Sequence, residues 1–220
     1  MNALVTGGAG FIGSRLAEGL LAHGHIVRVF DNLMFGRKEA VPDGVELMVG
    51  DLRVAGDIDE ACADIDVVFH HAAVKSVPRS IDEPVLVHEC NATGTLNLLI
   101  AAANAGVRRL IYASSSSIYG GVGEGRSHED MAPHPRSPYA ASKLAGENYC
   151  RTWSAIGALS TVCLRYFNVF GPGQPHDSKY AAVFPAFIEA LTSGRPPVIH
   201  WDGEQSRDFT YIDDVVAANV

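Results

Sequence analysis

Thr6-Gly7-Gly8-Ala9-Gly10-Phe11-Ile12-Gly13 is the stretch of this sequence that decides its fold. A short apolar run at residues 2–6 precedes it, and a helical pattern that includes Leu16 and Leu20 follows it. A strand, a glycine-rich loop and a helix in this order are typical of the first unit of a dinucleotide-binding sheet. The glycines permit a tight turn and let backbone N–H groups approach a pyrophosphate. The stretch therefore predicts a dinucleotide site at the start of the first helix.

The second strand ends in a carboxylate that sharpens this prediction. Residues 26–30 lead to Asp31, at about the distance of 20 residues beyond the glycines where such sites carry an acid. A carboxylate there accepts hydrogen bonds from the ribose hydroxyls and repels a 2′-phosphate. Arg37 and Lys38 follow shortly after and are the feature that favours the phosphorylated cofactor. Asp31 favours NAD over NADP.

Strands and helices alternate along the first three quarters of the chain. We predict strands at 45–49, 66–70, 109–113 and 160–166, and helices at 57–63, 85–105 and 137–156. This alternation is typical of an α/β fold with a Rossmann-type, doubly wound parallel sheet. We expect the NAD-binding Rossmann domain to occupy residues 1–170.

The alternation stops beyond residue 171. A helix at 181–193, a short strand at 198–201 and a helix that begins at Asp213 are predicted there. We expect residues 171–220 to be the start of a smaller C-terminal substrate lobe, which is incomplete in this chain.

Composition and charge restrict the classes of partner. The 220 residues are 47 % hydrophobic and 19 % charged, with a net charge of −8 and no basic cluster. These values argue against a nucleic-acid or anionic-membrane surface. The cysteines are far apart and form no C-x-x-C motif, so we interpret them as reduced core thiols: Cys62, Cys90, Cys150 and Cys163. With no signal-peptide pattern and no apolar run of about 18 residues, we expect a cytoplasmic protein.

A tyrosine and a lysine stand one helical turn apart in the helix predicted at 137–156. Ser137 can cap this helix, and Pro138 suits its first turn. The i,i+4 spacing puts the Tyr139 phenol and the Lys143 ammonium on one face. A free tyrosine has a pKa of about 10, and a nearby ammonium together with a cationic cofactor ring can lower it. The pair is a candidate base; the alternative interpretation is an ordinary pair on a surface helix.

Other polar and small residues follow the predicted strands. The serines at 114–117 come at the carboxyl edge of the sheet, where ligands bind in open α/β sheets. Asp51 follows the third strand and can contact an adenine, while Ala72 and Ala73 let a flat cofactor lie against the backbone. His70 and His71 are adjacent, but no acid or thiol stands at ligand spacing, so we predict no metal site.

Taken together, these motifs resemble the extended short-chain dehydrogenase/reductase family. The motifs that carry the resemblance are Thr6–Gly13, Asp31, Asp51-Leu52, His71–Ala73, Ser114–Ser117 with Tyr119-Gly120, Tyr139 with Lys143, Arg165–Gly171 and Arg207-Asp208. Within that family the chain is similar to NAD-dependent nucleotide-sugar epimerases. Residues 75–80 and 180–185 are similar in particular to the UDP-glucose and UDP-N-acetylglucosamine 4-epimerases.

The resemblance implies roles for the matching positions. Tyr139 would be the catalytic base and acid, Lys143 would hold the nicotinamide ribose and lower the pKa of Tyr139, and Ser115 would bond the sugar 4-oxygen. The positions that would line NAD are Gly7, Gly10, Phe11, Ile12, Gly13, Asp31, Asn32, Asp51, Leu52, Ala72, Ala73, Lys75, Asn91, Tyr139, Lys143 and Tyr166. The positions that would hold the UDP-sugar are Ser115, Ser116, Tyr139, Asn168, Tyr180, Val183 and Arg207, with Arg207 on the diphosphate.

The implied reaction is epimerisation at C4 of a UDP-hexose through a transient 4-keto intermediate, in a homodimer formed by helices 85–105 and 137–156. Three alternatives stay open. A 4,6-dehydratase of the family carries an Asp-Glu pair after its hydroxyl residue, where this chain has Ser116 and Ser117. A uronic-acid epimerase or decarboxylase needs a carboxylate partner, for which Arg79 is a candidate. A non-catalytic NAD-binding module would be expected to lack Tyr139 or Lys143.

Overall fold

Six parallel strands form the central sheet of this computed structural model, which describes residues 1–121, 125–175, 182–199 and 202–220. The strands are β1 Asn2–Thr6, β2 Ile26–Asp31, β3 Glu46–Val49, β4 Val67–His70, β5 Arg109–Ser115 and β6 Ser160–Tyr166. Their order in the sheet is β3-β2-β1-β4-β5-β6. The order reverses between β1 and β4, which is the point where a doubly wound sheet opens a crevice at its carboxyl edge. The predicted Rossmann-type sheet is confirmed.

The helices cover both faces of this sheet. They are α1 Phe11–Ala22, α2 Ala55–Cys62, α3 Val77–Asp82, α4 Pro84–His88, α5 Gly94–Asn104 and α6 Pro138–Ala155. The helix predicted at 85–105 is present as α4 and α5, joined through a π-helical stretch at Glu89–Thr93. The short helix α3 was not predicted, because its six residues carry no periodic apolar pattern.

Two apolar clusters hold the layers together. On one face, Leu16 and Leu20 of α1 pack against Val5 and Val29 of the sheet. On the other face, α2, α5 and α6 supply the second cluster, in which Leu98 and Tyr112 are fully buried. The strands are therefore covered on both sides, as a parallel sheet requires.

In the described part of the C-terminal residues, two strands and two helices form a smaller unit. It consists of β7 Asn168–Phe170, α7 Val183–Thr192, β8 Phe209–Tyr211 and α8 Ile212–Asn219, with β7 and β8 paired in parallel. The strand expected at 198–201 is wrong for residues 198–199, which follow Pro196 and Pro197 and therefore a backbone that lacks ladder donors. Residues 200–201 lie outside the described part. The helix α8 packs on α1, where Val216 closely approaches Gly19.

None of the helices in the described ranges combines the length and the apolar character needed to cross a membrane. The four cysteines carry free thiols; Cys62 and Cys150 are buried, and Cys90 and Cys163 are partly buried.

Candidate active site

The glycine loop between β1 and α1 is shaped by close backbone approaches. A Cβ added at Gly7, whose φ is +72°, would lie 2.5 Å from the amide nitrogen of Ala72. A Cβ at Gly13 would lie 2.3 Å from the carbonyl oxygen of Gly7, and one at Gly10 would lie 3.2 Å from it. At Gly7 and Gly13 only glycine lets the backbone pass this closely, whereas the contact at Gly10 is tight but less restrictive. The loop is thus pressed against the residues that follow β4.

The start of α1 has the properties of an anion site. Gly10 caps this 12-residue helix without any side-chain hydrogen bond to the first-turn N–H groups. Phe11 and Ile12 supply those N–H groups and are partly exposed. Free N–H groups and the helix dipole together favour a phosphate at such a terminus. The cradle therefore fits the pyrophosphate of a dinucleotide.

Asp31 is fixed beside the same loop. The Asp31 side chain is buried; its Oδ2 accepts the Ala9 N–H at 3.0 Å, and its Oδ1 accepts the Leu33 N–H at 2.8 Å. Each carboxylate oxygen has two acceptor lone pairs, so both oxygens can accept a further bond from a ribose hydroxyl. The position at the carboxyl end of β2 matches the sequence prediction.

Asp51 belongs to a polar chain at the end of β3. Arg53 donates to Asp51 Oδ1 and Oδ2 at 2.9 and 2.7 Å, and Asn32 donates to Oδ2 at 2.9 Å. The hydrogen bonds from Arg53 hold the pKa of the Asp51 carboxyl well below its ordinary value. Asp51 is thus an ionised, oriented acceptor beside Asn32.

Two residues expected to line NAD have side chains that are packed or hydrogen-bonded inside the protein. The Leu52 side chain is in the core next to Gly94, and its carbonyl oxygen accepts a bond from Asn97. Asn91 is buried; its Oδ1 accepts the Val74 N–H at 2.7 Å, and its Nδ2 donates to the Val74 carbonyl and to Ser142. Both side chains are committed inside the protein. Asn91 therefore holds the loop that follows β4.

That loop carries the other predicted residues. Ala72 donates its N–H to the Thr6 hydroxyl at 3.3 Å and lies against Gly7. Ala73 is partly exposed, and Lys75 lies on the surface. His70, the first of the adjacent histidines, bonds Thr6 and Thr95 at 2.7 and 2.8 Å. In the described ranges no three His, Cys, Asp or Glu side chains are grouped to hold a metal.

The candidate catalytic residues converge at the ends of β5 and α6. Ser137 caps α6 by accepting the Ala140 N–H at 3.1 Å, which fixes Tyr139 and Lys143 in the first turns. The Ser115 hydroxyl, at the end of β5, lies in hydrogen-bonding reach of the Tyr139 phenol. The Lys143 ammonium is buried, 4.5 Å from the centre of the Tyr112 ring. A serine, a tyrosine and a lysine thus share one site.

Burial is the largest influence on the pKa values of Tyr139 and Lys143. Burial raises the pKa of Tyr139, and the bond with Ser115 offsets this only in part. Burial also lowers the pKa of Lys143 to about 8. The net shift of the Tyr139 pKa is therefore upward in the protein alone, and the lowering of this pKa by Lys143 together with the cofactor ring stays a prediction.

Ser115 is prepared to donate its proton. Its Oγ accepts the Ser117 N–H at 3.2 Å and the Ser117 hydroxyl at 2.8 Å. An oxygen with both lone pairs engaged directs its own O–H elsewhere, here toward Tyr139 or a ligand. Ser116 follows in a 3₁₀ turn and is partly exposed.

A buried ionic network behind Ser115 was not predicted from the sequence. Glu147 of α6 is paired with Arg165 of β6 at 2.6 Å and accepts the Ser114 hydroxyl at 2.8 Å. Arg165 also donates to the Tyr119 hydroxyl at 2.9 Å. Burial acts to raise the pKa of Glu147, but the hydrogen bonds from Arg165 and Ser114 outweigh it, and the net shift is downward. Glu147 stands four residues after Lys143, and this spacing was the one feature of the sequence that could have indicated that Glu147 shares the face of α6 that carries Lys143.

The remaining predicted substrate residues belong to the C-terminal part of the chain. Asn168 on β7 donates to the Asp208 carbonyl at 2.8 Å, Val183 begins α7 at the surface, and the Arg207 side chain is exposed. Tyr180 lies outside the described residues.

Tyr166 ends β6 between two other groups. Its hydroxyl accepts a bond from Asn219 of α8 at 2.7 Å, and its ring stacks on His71 with centroids 5.9 Å apart. Burial raises the pKa of Tyr166 to about 12, so the phenol is neutral at pH 7. The hydrogen bond ties α8 to the carboxyl edge of the sheet.

Comparison with known proteins gives one consistent family. The NAD dependent epimerase/dehydratase family matches residues 3–220. The UDP-glucose 4-epimerase of Mycolicibacterium smegmatis is 42 % identical over 229 residues, which cover 100 % of this chain and 72 % of that protein.

Solved structures of related proteins have the same fold. The UDP-N-acetylglucosamine 4-epimerase from Methanobrevibacter ruminantium, solved in complex with UDP-N-acetylmuramic acid, superposes with a TM-score of 0.94 at 41 % identity. That match covers 99 % of this chain and 71 % of the other. The UDP-glucose 4-epimerase of Thermus thermophilus, solved with NAD, gives a TM-score of 0.92 at 42 % identity, with 100 % and 73 % covered.

Proposed function

The chain belongs to the NAD dependent epimerase/dehydratase family, and on that premise we propose that it interconverts the C4 epimers of a UDP-hexose. NAD is its cofactor, and Tyr139 is the base. The observation that carries the proposal is the convergence of Ser115, Tyr139 and Lys143 at the edge of the sheet that also holds the glycine loop. We further propose that residues 1–170 bind NAD and that residues 171–220 contribute to sugar-nucleotide binding.

The cofactor half of the site is built by backbone and carboxylate groups. The first-turn N–H groups of α1 bind the pyrophosphate, and the oxygens of Asp31 accept the ribose hydroxyls. Asp51 and Asn32 lie where an adenine can be contacted. When bound, NAD would supply a hydride acceptor and donor for C4 and the positive charge of its nicotinamide ring.

The chain's own residues move the proton. Tyr139 removes the proton of the C4 hydroxyl as the C4–H bond breaks, and it returns a proton to the 4-oxygen after the 4-keto sugar has presented its other face. Ser115 donates its O–H to the reacting oxygen, because both of its lone pairs are engaged by Ser117. Lys143, with a pKa of about 8, is mostly charged at pH 7 and favours the phenolate together with the cofactor ring.

Substrate binding leaves the hexose free to turn. Arg207 is proposed to bind the diphosphate, and Asn168, Tyr180 and Val183 to border the nucleotide sugar. Contacts to the diphosphate are equally strong before and after the 4-keto sugar rotates, so they do not oppose that rotation. The dehydratase alternative has less support, since the positions after Ser115 carry hydroxyls, and Glu147 is paired with Arg165.

A homodimer is proposed through the helices that span 85–105 and 137–156. Val85 and Ile100 of α4 and α5 are 68 % and 44 % exposed, which is apolar surface that a partner copy would cover. Light scattering would give a mass of two chains for the native protein. A Val85→Glu variant at the mass of one chain would locate the interface, and an unchanged mass would contradict it.

Proton NMR tests the proposed activity. The purified protein is incubated with NAD and either UDP-glucose or UDP-N-acetylglucosamine, and the C4 epimer is followed over time. We expect conversion of at least one sugar, its loss in Tyr139→Phe, and its retention in the matched variant Tyr149→Phe on the same helix. Absence of any epimer from either sugar, in protein that binds NAD, would contradict the proposal.

A further inference from the structure

Two segments of the chain meet above the end of β1. The first is the loop of residues 32–37 after β2, and the second is α3, which follows the loop after β4. Because β2 and β4 are the two neighbours of β1 in the sheet, a contact between these segments spans the strand from which the glycine loop starts. The contact exists: the guanidinium carbon of Arg79 lies 4.4 Å from the centre of the Phe35 ring.

The first arm is the loop of residues 32–37, which carries Phe35 and is anchored on the glycine loop. Arg37 donates its N–H to the Ala9 carbonyl at 3.0 Å, while the Ala9 N–H bonds Asp31 on the other side. A Cβ added at Gly36 would lie 2.7 Å from the Cβ of Ala9, so the loop backbone touches the glycine loop directly. Phe35 is therefore held next to the cradle of the pyrophosphate.

The second arm consists of residues 72–82, which carry Arg79, and it is anchored on the opposite side of the glycine loop. Ala72 lies against Gly7, and the chain then runs to Ser76, whose hydroxyl caps α3 by accepting the Arg79 N–H at 3.3 Å. The cap fixes the first turn of α3 and with it the base of the Arg79 side chain. The two arms thus approach each other from either side of the same loop.

Backbone strain marks both arms. Within the described ranges three residues other than glycine have a positive φ, and two of them are Leu33 at +57° and Ser76 at +105°. Such conformations persist where the surrounding structure enforces them, and they cluster at ligand clamps. The strain is a second observation, besides the position of the contact between Phe35 and Arg79, that supports a functional role for this contact.

We propose that Phe35 and Arg79 form a clasp that closes over bound NAD and slows its release. Phe35 is 51 % exposed, and its ring contacts the Arg79 cation, so the contact is one that solvent and a ligand can both reach. Slow release suits the proposed reaction, because the cofactor returns to its starting state in each cycle and need not leave. The clasp rests on the cofactor assignment of the proposed function.

The dissociation rate of NADH tests the clasp. NADH is bound to the protein, its fluorescence is recorded, and excess NAD displaces it in a stopped-flow instrument. Phe35→Leu keeps an apolar side chain without a ring, and Arg79→Lys keeps the charge without the planar group. Each variant is expected to release NADH about two- to fivefold faster, as an exposed cation–π contact implies. The double variant is expected to be no faster than the faster single variant.

Neighbouring exposed residues on the two arms provide the controls. Met34→Ala on the loop and Ile81→Ala on α3 should release NADH at the wild-type rate. Wild-type rates in Phe35→Leu and Arg79→Lys would overturn the clasp while leaving NAD binding in place, as would multiplicative effects in the double variant. Failure of the wild-type protein to bind NADH would overturn the cofactor assignment and the clasp together.

Discussion

The glycine loop at β1 and the serine edge at β5 lie at the same rim of one sheet, but they are built in different ways. The glycine loop is made of backbone, and its shape depends on the absence of side chains at Gly7 and Gly13. The serine edge is made of side chains, and behind it lies the buried pair of Glu147 and Arg165. The glycine loop is therefore disrupted when an added side chain overlaps the backbone, and the serine edge is disrupted when one partner of the buried ion pair loses its charge.

The ionic network should show the largest effect on stability. Glu147→Gln leaves the Arg165 guanidinium buried without its anion, so we expect a loss of about 3 kcal/mol in the free energy of unfolding. Urea denaturation measures it. The control Glu18→Gln breaks an exposed ion pair with Arg15 and should cost at most about 0.5 kcal/mol. Equal losses in the two variants would contradict a special role for the buried pair.

The hydroxyl in front of that network should affect the rate. In Ser115→Ala the O–H directed at Tyr139 and the substrate is lost, and we expect kcat to fall about 10²-fold, or about 2.7 kcal/mol. The epimer assay by NMR measures it. Ser160→Ala, at the opposite edge of the sheet, keeps the wild-type rate. A fall of less than threefold in Ser115→Ala would remove Ser115 from the proposed chemistry.

The glycine loop should respond to a single methyl group. Gly7→Ala and Gly24→Ala both place alanine at a positive φ, but only at Gly7 does the new Cβ meet backbone atoms. We expect Gly7→Ala to be less stable than Gly24→Ala by about 2 kcal/mol, since overlap adds to the shared cost of the conformation. Thermal unfolding compares the two. Identical stabilities would contradict the tight approach to Ala72.

Burial of Lys143 should lower the free energy of unfolding by an amount that depends on pH. The pKa of Lys143 falls from 10.5 in the unfolded chain to about 8 in the fold, so its burial opposes folding fully below pH 8, and the penalty vanishes as pH rises to 10.5. Lys143→Met should therefore gain about 2 kcal/mol more stability at pH 7 than at pH 10. Urea denaturation at both pH values checks this; an equal gain would mean that Lys143 is not desolvated.

Much of the cofactor half could be predicted because its signals are local. Each strand is an apolar run bounded by turn residues, and the glycines and Asp31 carry their meaning within one β-α-β unit. Leu52 and Asn91 could not be assigned in this way. Which face of a helix or strand meets the cleft depends on packing between distant elements, and both residues turned out to face inward.

The catalytic edge shows where local reasoning ends. The i,i+4 pair Tyr139 and Lys143 follows from helix geometry, and the cap at Ser137 was predicted as well. The partnership of Glu147 with Arg165 depends on the register of β5 and β6, which sets Ser114 opposite Arg165. The direction in which the Tyr139 pKa shifts also depends on burial, which cannot be inferred from the spacing of two residues in the sequence.

The fate of the C4 hydrogen tests the central claim most directly. The protein is incubated with NAD and UDP-glucose or UDP-N-acetylglucosamine carrying deuterium at C4, in ordinary water, and the product is analysed by NMR and mass spectrometry. Transfer to the cofactor and back predicts that the C4 epimer keeps its deuterium. Epimer that has exchanged this deuterium for solvent hydrogen would contradict the account, because the C4 hydrogen would then have left as a proton.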